Sequence, residues 1–151
     1  MRRIVTLVAL LGGIAPAALA IKLPLLDWAD VGNEEFRAAV DKLAGKESID
    51  CGLVLMAGKQ PDGAGRRKAL ACMADAQSRK VAFKFGTSRV PLDSHVTEVY
   101  VRTSSGETWQ LVFDLMPLEN VYQTWIAACD SVEVDPTTLY LSGENCEERT
   151  P

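Results

Sequence analysis

The stretch His95–Leu115, HVTEVYVRTSSGETWQLVFDL, holds the pattern that decides the fold. Apolar side chains recur at every second position, Val99 and Val101 before the SSG and Trp109, Leu111, Phe113 and Leu115 after it. A period of two is the signature of strands, because successive side chains point to opposite faces. The stretch therefore reads as a hairpin, with one strand over 95–103 and the next over 108–115. A two-residue turn at Ser105-Gly106 would set Val101 opposite Gln110 and scatter the apolar residues over both faces. A three-residue loop, Ser104-Ser105-Gly106, sets Val101 opposite Trp109 and Val99 opposite Leu111. A one-residue slip flips every side chain, so the register that keeps one face apolar is the expected one. It also puts Gly106 at the left-handed position such loops require.

Outward from the hairpin, Val81, Phe83 and Phe85 alternate with Ala82 and Lys84 and predict another strand. Gly86 to Ser94, which contains Pro91, reads as a loop. After a turn over Met116–Asn120, Val121–Ala128 predicts a fourth strand leading into Cys129. Thr138–Leu141 is expected as a short edge strand, and Glu147–Pro151 is expected to fray. Toward the N-terminus, Ile21–Gly32 reads as an extended lead-in. Asn33 is a helix N-cap, with Glu34 and Glu35 in the first turn, where the helix dipole favours acids. Phe36, Ala39, Val40 and Leu43 recur at helical spacing, and Gly45 ends the helix. No element is assigned between Gly45 and the turn-rich loop over Lys59–Gly65. A second helix is predicted from about Gly65 to Arg79, with Ala69, Leu70, Met73, Ala74 and Gln77 inward and Cys72 beside them. Its start, Arg66-Arg67-Lys68, reads as a solvated basic end or as a contact for an anion or acidic partner.

The expected fold is thus α+β, with two short helices on one face of an antiparallel β-meander of about four strands. The other sheet face carries Glu98, Tyr100, Arg102, Gln110 and Asp114. That face is polar and mixed in charge, and reads as solvated sheet or as a possible binding face.

The first twenty residues have a different character. Met1-Arg2-Arg3 is basic, Ile4–Ile14 is uncharged and apolar, and Ala18-Leu19-Ala20 places small residues where a signal peptidase reads. This predicts a secretory signal cleaved between Ala20 and Ile21, with Ala15-Pro16-Ala17 as the weaker site. The apolar run before Pro16 is shorter than the roughly 20 residues a membrane span needs, and no later segment is long and apolar enough. Residues 21–151 form one expected domain, exported to the periplasm or secreted. The whole chain has 16 basic and 20 acidic residues, a net charge of −4; loss of Arg2 and Arg3 leaves 14 basic residues and a charge of −6. That sign disfavours nucleic acid and anionic membrane surfaces, which require basic patches. The four cysteines, Cys51, Cys72, Cys129 and Cys146, all follow the leader. An even count in an exported chain predicts disulfides. Of three possible connectivities, Cys51–Cys72 with Cys129–Cys146 is favoured, since each pair brackets a compact segment with a turn. No C-x-x-C exists to suggest zinc or thioredoxin-like redox chemistry.

One set of residues carries a resemblance. Asp50-Cys51-Gly52 is followed by an alanine-rich helix with Cys72, then Arg79–Phe83, Leu92-Asp93-Ser94, Thr103–Glu107 before the aromatic strand, and Cys129. Over residues 50–129 this resembles small exported bacterial proteins of unknown function, in which a cysteine-bearing helix precedes a short β-meander. The resemblance implies export, a bacterial origin and the helix-then-meander order. It transfers no catalytic residue, and the segment after Cys129, with Cys146, departs from it.

Candidate chemistry is sparse. His95 is the single histidine, and in Asp93-Ser94-His95 neighbouring side chains on a strand would point apart, unlike a catalytic triad. Glu98 and Asp114, on one face of adjacent strands, offer a carboxylate pair of the kind glycosidases use. Glu144, Glu147 and Glu148 lack the spaced ligands of a calcium loop. Gly63-Ala64-Gly65 lacks a phosphate-loop pattern. No metal site or cofactor is expected. The leading expectation is a non-catalytic exported protein that binds a macromolecule, of inhibitor or immunity type, with a protein partner outside the cytoplasm. The alternatives are a small secreted hydrolase using His95 or Glu98 and Asp114, and a structural envelope component.

Overall fold

The computed structural model describes residues 27–56, 63–118 and 121–151. The leader over 1–20, its cleavage point, the lead-in over 21–26 and most of the 59–65 loop lie outside the described residues. A 3-10 turn at Trp28–Asp30 precedes helix α1, Glu34–Ala44. Its ends follow the sequence signals. Asn33 Oδ1 accepts from the Phe36 N–H at 2.8 Å, and Gly45 closes the last turn at a φ of 76°.

The other elements are β1, Ile49–Leu55; α2, Gly63–Ser78; β2, Phe83–Arg89; β3, His95–Arg102; β4, Thr108–Met116; β5, Val121–Cys129; β6, Ser131–Val134; β7, Leu141–Glu144; and β8, Glu147–Glu148. Six of the strands form one sheet in the order β1-β2-β3-β4-β5-β8, and β6 and β7 pair as a second, small sheet. Only β1 and β2 run parallel, with α2 as their crossover; the remaining neighbours are antiparallel. The meander is therefore larger than the four strands expected. The register of β3 on β4 is the predicted one, Val101 facing Trp109 and Val99 facing Leu111. Gly106 takes a φ of 92°, in the region that only glycine adopts at ease.

The two helices lie on opposite faces of the large sheet, not on one. On the first face, Phe36, Val40 and Ala44 of α1 pack with Val99, Val101, Trp109, Leu111 and Phe113. On the second, Ala69, Met73 and Ala76 of α2 pack with Cys51, Phe83, Phe85 and Tyr100; the small sheet adds Val132 and Leu141, and its β6–β7 connection adds Leu139. The inward stripe of α2 is thus 69, 73 and 76, while Ala74 and Gln77 are exposed. The reason for the two-sided burial lies in β3, whose six inner residues from Val96 to Val101 are all buried. It is a central strand of a sheet covered on both sides, so the outer face read as solvated is in part core. Tyr100 is 2 % exposed and meets Phe83 edge-on, ring centroids 5.0 Å apart.

Three further segments depart from the sequence reading. Strand β2 runs on through Gly86-Thr87-Ser88-Arg89, read as loop, because both of its edges are paired. The edge strand expected over 138–141 begins at Leu141 instead. The tail expected to fray is tied down: Glu147 and Glu148 pair with Ala128 and Ala127, and Lys42 Nζ donates to the Pro151 carbonyl at 2.9 Å.

Both disulfides join the expected partners. Cys51–Cys72 ties α2 to β1, with Cα atoms 5.4 Å apart, and Cys129–Cys146 ties the end of β5 to the β7–β8 connection. They fit an oxidising compartment. No helix among the described residues is long and apolar enough to cross a membrane.

Candidate interaction site

At the end of β2 and the start of β3, the α2 face of the sheet opens into a cleft of about 220 Å³. Met56, Thr87, Arg89, Val90, Pro91, Glu98, Thr138, Leu139 and Tyr140 line it. The pleat accounts for the polar members. Thr87 and Glu98 are cross-strand partners, so they share the face with Phe85 and Tyr100. Arg89, two residues along, leans back to Glu98, and its Nη2 donates to Oε1 at 2.8 Å. Glu98 is 8 % exposed, so the acidic end of this ion pair is withdrawn from water, while the Arg89 side chain stays 32 % exposed. Arg89 Nη1 also donates to Tyr140 Oη at 3.0 Å, and the guanidinium lies over the tyrosine ring, 4.6 Å from its centroid.

Tyr140 is held by the connection between β6 and β7. Asp135 Oδ1 accepts from the backbone N–H groups of Thr137 and Thr138 at 2.6 and 3.2 Å. Those bonds, the Thr137 one foremost, hold the Asp135 carboxyl below the usual aspartate value. Arg66 at the start of α2 donates to the carbonyls of Pro136 and Thr137. At least Arg66 of the basic helix start therefore serves inside the protein. Beside the cleft, Val90 and Leu92 stand exposed on the β2–β3 loop, and Tyr140 is half exposed. The site thus combines an apolar rim with a fixed, internally neutralised ion pair.

The five residues of the expected binding face fare differently. Glu98 lines the cleft. Tyr100 belongs to the core, and burial raises its phenol pKa. Gln110 Nε2 donates to the Leu141 carbonyl at 3.3 Å, which places it under the small sheet. Arg102 and Asp114 are partly buried. By register Glu98 and Asp114 are diagonal neighbours on one face, yet Asp114 does not line the cleft.

His95 has a partner that sequence reading missed. Its Nε2 shares a 2.6 Å hydrogen bond with Ser88 Oγ, on the α1 face of the sheet. Ser94 plays no part in it. Ser88 was hidden because residues 86–94 read as loop; once β2 extends to Arg89, its side chain must share a face with His95. Ser88 is fully buried, so its hydroxyl has no route to a substrate in this conformation. Glu144 takes a hydrogen bond from Ser131 at 3.1 Å and Glu147 pairs with Arg149 at 2.8 Å. Among the described residues, no three His, Cys, Asp or Glu side chains gather as metal ligands.

No protein-family model matches this chain, and neither curated proteins nor solved structures give a match.

Proposed function

We propose that residues 1–20 direct export to the periplasm or the medium, and that the mature domain acts there without catalysis, by binding a protein partner in the manner of an inhibitor or immunity protein. The observation that carries this reading is the cleft, where the pair of half-buried Arg89 with buried Glu98, and Tyr140, adjoin the exposed Val90 and Leu92. Such a surface suits recognition. Its polar groups are already placed, so little conformational freedom is lost when a partner docks. Its aromatic and arginine side chains are the types on which binding energy concentrates. The acidic charge after cleavage favours a basic partner.

The test is a pull-down from a periplasmic extract with the disulfide-intact protein and with Leu92→Asp. Leu92 is fully exposed, so the substitution leaves the fold unstrained. The reading expects a specific protein recovered by the native protein and lost with Leu92→Asp. Recovery of no specific protein, or equal recovery by both, would overturn it.

A further inference from the structure

We infer that the sheet face beside the cleft receives an arginine side chain of the partner, with Asp114 and Glu98 as its acceptors and Trp125 as its stacking surface. The inference rests on the partner-binding reading and names what the partner brings. Three strands build the seat. Glu98 on β3 and Trp125 on β5 each stand directly opposite Val112 on β4, so the three share one face. Asp114 is the next β4 residue on that face, which makes it a diagonal neighbour of both Glu98 and Trp125. Diagonal neighbours on a sheet lie roughly 7–8 Å apart, so two carboxylates placed this way reach one cation between them. Val112 is partly exposed, and Trp125 is 43 % exposed. The seat therefore has an apolar floor, an indole on one side and carboxylates on the other.

Unmet acceptors select the occupant. The Glu98 side chain is 10 % exposed, and Arg89 donates only to its Oε1. Its Oε2 is buried and has no hydrogen-bond partner among the described residues, and Asp114 Oδ1 is in the same state. A carboxylate oxygen that is neither hydrated nor hydrogen-bonded is unfavourable, and a donor brought by a ligand relieves it. Two carboxylates, Glu98 and Asp114, set against the one guanidinium of Arg89 leave a single negative charge in excess, which a second cation balances. Arginine suits this seat better than lysine. Its planar fork donates in several directions at once, to acceptors on different strands, and it stacks on an indole face. Asp114 is partly exposed, and its carboxylate turns about a soft terminal torsion, which brings Oδ1 outward to the incoming donor.

The test titrates the isotope-labelled, disulfide-intact protein with N-acetyl-arginine methylamide at low ionic strength and follows the indole N–H signals by NMR. Trp28, Trp109 and Trp125 are the tryptophans, and Trp125→Phe assigns the signal of the third. A saturable shift of the Trp125 signal is expected, with those of Trp28 and Trp109, which lie on the α1 side, unmoved. Asp114→Asn should weaken binding about tenfold, and the uncharged citrulline counterpart of the probe should not bind. Asp114 has no buried partner to lose, so the variant keeps its fold. A Trp125 signal that does not shift, equal affinity in Asp114→Asn, or equal binding of the citrulline probe overturns the inference. The pull-down turns on Leu92 and the titration on Asp114. A partner lost with Leu92→Asp while the arginine probe fails to bind sinks the seat alone, whereas recovery of no specific protein sinks the reading beneath it.

Discussion

Burial to 8 % exposure strips Glu98 of most of its hydration, an unfavourable step for any carboxylate without a partner. Arg89 at 2.8 Å offsets it, and the pair is then held by Tyr140, which accepts from the same guanidinium. The cleft is therefore polar at its base yet neutral as a unit. Tyr100, nearby on β3, shows the opposite solution, since its ring fills the core and its hydroxyl stays protonated. Desolvation by burial raises its pKa above the ordinary value of 10.0, outweighing the Thr108 hydrogen bond and the nearby Arg102 charge. The sign of the pH dependence follows. The folded state holds the phenol proton more tightly than the unfolded chain, so this contribution is complete below 10.0 and is lost as pH rises from there through the folded value. Urea midpoints measured from pH 9 to 11 should fall more steeply for the native protein than for Tyr100→Phe. Parallel curves would show that Tyr100 is not desolvated.

At the scale of elements, what could be read from sequence depended on which forces were local. The caps of α1 are local, so Asn33 and Gly45 marked both of its ends. The β3–β4 register was legible because four apolar residues on one arm had to share a face with Val99 and Val101. Strand β1 was not, since Asp50-Cys51-Gly52 interrupts its pattern, its register shifts between Asp50 and Leu53, and its partner β2 lies beyond a helix. Residues 86–89 hold glycine, threonine and serine, poor strand signals that two-sided pairing overrides. Of the cleft, only Glu98 was visible; Arg89 sat in a presumed loop, and Tyr140 depends on a turn closed by Asp135. The tail is held by the second disulfide and by β8. Gly143 lies so close to Cys129 Sγ and Cys146 Sγ that a Cβ there would strike both sulfurs. Replacing Cys129 and Cys146 together by alanine should lower stability by about 3 kcal/mol in urea unfolding, through the freed loop. An unchanged midpoint would mean that β8 holds the tail without the bridge.

At the scale of the molecule, a sheet sandwiched between α1 on one side and α2 with the small sheet on the other leaves little surface unused. Two surfaces stand out against it: the cleft between β2, β3 and the β6–β7 connection, and the exposed apolar side chains of Val121, Tyr122 and Trp125 on β5. The proposed function centres on the first of these surfaces, a cleft whose polar groups are already placed in a twice-stapled domain. The most direct measurement places a photo-crosslinking amino acid at Leu92 in cells that make the full chain, with Lys46, exposed in the turn after α1, as the control. One discrete heavier adduct is expected from position 92 and none from position 46. No adduct at Leu92, or the same adducts from both positions, would contradict the partner-binding reading.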